Sequence, residues 1–157
     1  MNVDDFLQGQ NVEYDVIPHR ETHDAQRMAQ VVHVSGREVA KTVLLKCGDG
    51  PKYLLALLPA NKAIDFEKAE KALGDGAAVE LAAREDLVAH CPDCEPGALP
   101  PFGSHYGMQT VVDRRLAEDE EIVFESNTHR ESIRMKFDDF RRIEQPQVVD
   151  IARDSAA

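Results

Sequence analysis

With 157 residues, 43% hydrophobic and 30% charged, the chain has the make-up of a globular protein of one domain. Its net charge of −11 excludes a protein that coats DNA or RNA, which needs an extended basic face. No apolar run approaches the roughly 18 residues of a membrane span. The acidic start, Met1 to Asp5, lacks the basic and apolar regions of a secretion signal. Three cysteines are too few for a disulfide framework, so a cytoplasmic protein is expected.

Val3, Phe6 and Leu7 fall at helical spacing before Gly9, and Val12, Tyr14 and Val16 then alternate with acids as in a half-buried strand that ends at Pro18. Thr22 or Asp24 can cap a helix from Ala25 to Val34 that turns Met28 inward. Residues 39–46 read as a strand with Val39, Lys41, Val43 and Leu45 on one face and Ala40, Thr42, Leu44 and Lys46 on the other. A turn at 47–51 joins it to the apolar run from Lys52 to Leu58, making a central hairpin. Asp65 caps a helix from Phe66 to Leu73, Val79 to Leu81 is a short strand, and Arg84 to His90 is a short helix burying Leu87 and Val88.

Residues 90–107 then hold four prolines and three glycines, which rules out helix or strand and predicts a shaped loop. Its apolar residues Ala98, Leu99, Phe102 and Tyr106 predict that it folds back as one wall of a pocket, although a crossover without chemistry has the same composition. Three strands follow, Gln109 to Val112, Ile122 to Glu125 and Ser132 to Phe137. Asp138 or Asp139 caps a last helical turn with Phe140 and Ile143, residues 148–151 are strand-like, and Arg153 to Ala157 fray. Helices and strands alternate too irregularly for a doubly wound sheet. The expected class is α+β, a mixed, mostly antiparallel sheet or partly closed barrel with interspersed helices.

Lys41 is the first candidate for chemistry: an ammonium between Val39 and Val43 either snorkels to a sheet edge or faces a polar pocket, where it can hold an oxyanion or phosphate. Cys91 and Cys94 form a C-x-x-C, open to a zinc site with His90 and His105, a redox pair, or two partly buried thiols. His129, in a turn between two strands, can stand at a pocket rim; His23 is a weaker case. Arg114, Arg115, Arg130, Arg134, Lys136, Arg141 and Arg142 alternate with acids, as a solvated face does, though two or three could grip phosphates at one end of a nucleic acid.

Two stretches together, Val39-Ala40-Lys41-Thr42-Val43 and the loop from Pro92 to Gly103, resemble the YbaK/EbsC family, free-standing relatives of the editing domain of bacterial prolyl-tRNA synthetases. The similarity runs from the helix near Ala25 through residues 54–59 to residues 124–135. It implies hydrolysis of mischarged aminoacyl-tRNA, with Lys41 as the essential lysine and Gly97 to Pro101 as the Gly-x-x-x-Pro loop. The substrate-binding set it implies is Met28, Thr42, Gly97, Ala98, Leu99, Pro100, Pro101, Phe102, Gly103 and His129. The expected partners are the aminoacyl-tRNA acceptor end and an aminoacyl-tRNA synthetase, with no metal or other cofactor. Departures at Ser126-Asn127 and His23-Asp24 bear on amino-acid specificity. Two rivals stand beside this reading: a module that binds aminoacyl-tRNA or an amino-acid ligand without hydrolysis, and a zinc-dependent regulator.

Overall fold

The computed structural model describes residues 2–18, 39–48, 52–73, 78–95 and 98–154. Asn2 caps helix α1 (Val3–Gln8), its side chain accepting from the Asp5 N–H at 3.0 Å, and Val3 and Leu7 are fully buried on its inner face. Strand β1 (Tyr14–Pro18) follows, with Val16 40% exposed rather than half-buried because β1 is the edge of its sheet. The expected helix from Ala25 to Val34, with His23 and Met28, lies outside the described residues.

Strands β2 (Ala40–Cys47) and β3 (Lys52–Pro59) form the expected antiparallel hairpin, in register from Ala40–Pro59 to Cys47–Lys52. A short strand that the sequence does not announce, β4 (Lys62–Ile64), comes next. Helix α2 (Phe66–Leu73) is capped by Asp65, whose carboxylate accepts from the Lys68 N–H. Strand β5 (Val79–Leu81) pairs with the end of β2. In helix α3 (Arg84–His90), Leu87 packs on the core but Val88 is 57% exposed, because only one face of two turns meets the sheet.

After the proline-rich loop come a 3₁₀ turn (Gly103–Tyr106), β6 (Gln109–Asp113), β7 (Glu121–Ser126) and β8 (Thr128–Lys136). The last strand begins earlier than expected, since β7 and β8 are a hairpin closed by Asn127 at φ 69°, a left-handed conformation that asparagine tolerates. Phe137 opens helix α4 (Phe137–Glu144) instead of ending the strand, and Lys136 rather than an aspartate takes the N-cap position. The strand expected over 148–151 is broken into β9 (Gln147–Val149) and β10 (Ala152–Asp154). Buried Asp113 accepts from the Ile151 and Ala152 N–H groups and so keeps those two donors from continuing the β9 ladder.

The strands form a five-stranded sheet ordered β5-β2-β3-β6-β9, a three-stranded antiparallel sheet β1-β8-β7 and the pair β10-β4. Among the described residues, pairing between strands is antiparallel except at β3–β6 and β6–β9, and the sheets do not close into a barrel. One core gathers Ala40 and Leu57 of the larger sheet with Ile122, Phe124 and Ile133 of the smaller, around Phe102, Phe137 and Phe140. A second lies on the opposite face of the hairpin, where Leu45, Leu54, Ala56 and Leu58 meet Ala69 of α2. Among the described residues no helix is long and apolar enough to cross a membrane.

Candidate active site

The two larger sheets touch where Val39, just before β2, makes a parallel bridge with Val123 of β7. The Val39 carbonyl accepts from the Ala60 N–H on the β3 side, so the even residues of β2 turn their backbone groups to the opposite edge. There Leu44 is engaged, its carbonyl accepting from the Ala82 N–H beside β5. Thr42 lies between the two engagements, and among the described residues its N–H and C=O have no backbone partner on that edge. Pairing between the two strands thus stops at that single bridge, and the outer edge of Thr42 carries no ladder among the described residues.

Lys41 and Glu125 stand two residues beyond the bridge on their respective strands, hence on the same face as Val39 and Val123. Lys41 is half-buried beside Leu58 of β3, and this burial holds its ammonium pKa below the ordinary lysine value. No carboxylate among the described residues pairs with it. Glu125 is only 7% exposed, with neither carboxylate oxygen hydrogen-bonded. Burial above all, and then the negative charge of Glu95 on the loop, push its pKa up to about 8.

The loop begins against the tip of the β7–β8 hairpin. The Glu95 N–H donates to the Asn127 carbonyl at 2.9 Å, the Ala98 N–H to the Glu95 carbonyl at 3.0 Å, and the Asn127 amide to the Cys94 sulfur at 3.5 Å. Its far end is held by Gly103, whose N–H donates to Thr110 Oγ1 at 2.9 Å; that hydroxyl donates to Glu144 of α4 at 2.7 Å. A Cβ on Gly103 would lie 2.7 Å from Thr110 Oγ1 and 2.9 Å from the Met108 carbonyl, so the close approach requires glycine. Ala98, Leu99, Pro100, Pro101 and Phe102 between these ends are all buried. Leu99 packs on Leu44 and Leu55, and Phe102 stacks edge-on against Phe6, Phe124 and Phe140 at centroid distances of 5.2, 5.8 and 5.6 Å. Burying one such ring stabilises by about 1.5–3 kcal/mol.

A sequence profile of the aminoacyl-tRNA editing domain matches residues 19–143. The chain belongs to this family. It is an aminoacyl-tRNA editing hydrolase. It is 27% identical over 151 residues to the multifunctional Ser/Thr-tRNA deacylase ProXp-y of Escherichia coli K12, covering 94% of this chain and 89% of that one. A solved structure described as a candidate trans-editing enzyme for prolyl tRNA synthetase superposes with a TM-score of 0.82 at 21% identity, over 96% of this chain and 94% of the other. A hypothetical protein of known structure superposes at 0.85 with 17% identity, covering 96% and 99% of the two chains. These structural likenesses carry the fold.

In this editing domain Glu125 and the start of the loop lie together at the β7–β8 end, while Lys41 and Thr42 follow the same bridge on β2. It sends Leu99 and Phe102 to the other face of β2, alongside Ala40 and Leu44, where they anchor the loop. Gly97 lies outside the described residues; His129 is the second residue of β8, and its side chain is outside them too. Among the described residues no three of the zinc rival's four ligands come together: Cys91 and Cys94 stay neighbours, but His90 stacks on Tyr53 and His105 on Phe6, each at 4.3 Å. Cys94 meets the Tyr106 hydroxyl at 3.3 Å, and burial raises the thiol pKa of Cys91 to about 11. Glu125 was not singled out by sequence reasoning. Its one signal there is the alternation of Ile122 and Phe124 with Val123 and Glu125, which puts an acid on an inward face.

Proposed function

We infer that this editing domain works in trans, removing a small, wrongly attached amino acid from the acceptor end of a tRNA in the crevice between β2 and β7. The observation that carries this reading is Lys41, a half-buried ammonium with no carboxylate partner among the described residues, next to an unpaired strand edge. An aminoacyl ester is already activated, so positioning and charge stabilisation suffice without a side-chain nucleophile. Water adds to the ester carbonyl, and Lys41 stabilises the negative charge that develops on the oxygen or holds the terminal phosphate. The bond to the ribose oxygen then breaks, that oxygen takes up a proton, and the amino acid leaves as its carboxylate. The neighbouring ribose hydroxyl assists in orienting the water. The Thr42 N–H and the backbone of the Gly97–Gly103 loop orient the ester, while Ala98, Leu99 and Phe102 act by fixing the path of that loop.

The E. coli relative acts on Ser/Thr-tRNA, and small hydroxylated amino acids are the substrates we assign here; prolyl-tRNA synthetase is the synthetase partner the structural neighbour suggests. The net charge of −11 favours contact with only the last nucleotides. The test is a deacylation screen over seryl-, threonyl- and alanyl-tRNAs and over short stems ending in the same charged CCA. Hydrolysis of at least one ester, nearly as fast on the short stem as on full-length tRNA, is expected. Inactivity on every ester would overturn the reading.

A further inference from the structure

We propose that Glu125 receives the α-ammonium group of the aminoacyl ester, across the crevice from Lys41. This rests on the crevice being the hydrolytic site and goes beyond it by naming what the second wall recognises. A carboxyl that is 93% buried with both oxygens unpartnered is costly, since nothing in the protein replaces the water it has lost. Across β8 it faces Ser132, and beyond that Ile17 of β1. Arg134 stands one row away opposite Val123 and does not bond it, while Glu95 brings a negative charge from the loop. Such a place is complementary to a cation, and every aminoacyl-tRNA brings one: its α-amino group, with an ordinary pKa near 8, sits one carbon from the ester carbonyl.

Lys41 and Glu125 each stand two residues beyond the Val39–Val123 bridge, on the strand faces that those valines share. In this proposal one ligand presents its developing oxyanion on the lysine's side and its ammonium to the glutamate. Because the free carboxyl titrates at about 8, it holds a proton at neutral pH, and the arriving ammonium displaces that proton to form the ion pair. Esters whose amine is blocked, including peptidyl-tRNA, would lack the cation and be spared.

The experiment compares a seryl ester on a short CCA stem with its α-hydroxy acid counterpart, in which OH replaces the ammonium, each normalised to its spontaneous hydrolysis. Wild type should prefer the amino ester by roughly thirtyfold, the size of a charge-assisted hydrogen bond, and Glu125→Gln should bring that ratio close to one. A wild-type ratio near one overturns the proposal without any variant, so a misfolded Glu125→Gln would not shelter it. A ratio unchanged in folded Glu125→Gln overturns it as well, and so does a loss confined to seryl over alanyl esters, which would assign Glu125 to the side-chain hydroxyl. Wild-type inactivity on every ester instead removes the hydrolytic reading itself and takes this proposal with it.

Discussion

Glu125→Gln should remove a pH dependence of stability that the wild-type protein carries. In the unfolded chain the carboxyl titrates near 4.5, and in the fold burial and Glu95 raise it to about 8. Below pH 4.5 both states hold the proton and this site adds no pH-dependent cost to folding. Between the two values the folded state binds more protons than the unfolded one, so stability falls as pH rises, and above 8 the cost is complete. At about 1.4 kcal/mol per pH unit, the cost is on the order of 4 to 5 kcal/mol, an upper bound because relaxation and water entry reduce it. Glutamine keeps the shape, has no proton to lose and escapes the repulsion from Glu95, while Lys41 and Arg134 are common to both proteins. Urea unfolding of both at pH 5 and pH 8.5, followed by circular dichroism, should show the variant gaining about 3 kcal/mol on wild type between the two pH values. A difference that stays constant with pH would mean that Glu125 is not held neutral in the crevice, and the picture of its burial would fail.

Gly103→Ala should lower stability by about 2 to 3 kcal/mol, seen as a fall in Tm of roughly 5 to 10 °C, because the new methyl meets backbone at Met108 as well as the Thr110 hydroxyl. A Tm within about 1 °C of wild type would show that the loop's anchor is not tight. The Cys91→Ser, Cys94→Ser double variant should keep deacylation and lose about 1 to 2 kcal/mol of packing, chiefly from buried Cys91. Loss of activity together with release of stoichiometric zinc would restore the metal reading.

Elements whose signal is local were legible in the sequence. The central hairpin shows itself as two apolar runs around a glycine-rich turn, and Asp65 announces α2 by a cap that its carboxylate makes. What escaped depends on tertiary partners. The break between β9 and β10 is made by Asp113, distant in sequence, and the exposure of Val88 follows from how little of α3 the sheet covers. The site divides in the same way. Periodicity put Lys41 on an apolar face and the family resemblance gave it a role, but alternation within one strand cannot say which other strand lies alongside. That is why the placing of Lys41 and Glu125 beyond one common bridge needs the Val39–Val123 contact to be seen, and why Leu99 and Phe102 belong to the core rather than to the same wall as the lysine.

The central claim is that Lys41 carries charge stabilisation in ester hydrolysis. Single-turnover deacylation of the preferred mischarged tRNA should be about a hundredfold slower in Lys41→Ala, with circular dichroism and Tm close to wild type. In wild type the rate should fall on the alkaline side at a pH below that of an ordinary lysine, since burial lowers the ammonium's pKa. A folded Lys41→Ala that hydrolyses the ester at the wild-type rate would contradict the account.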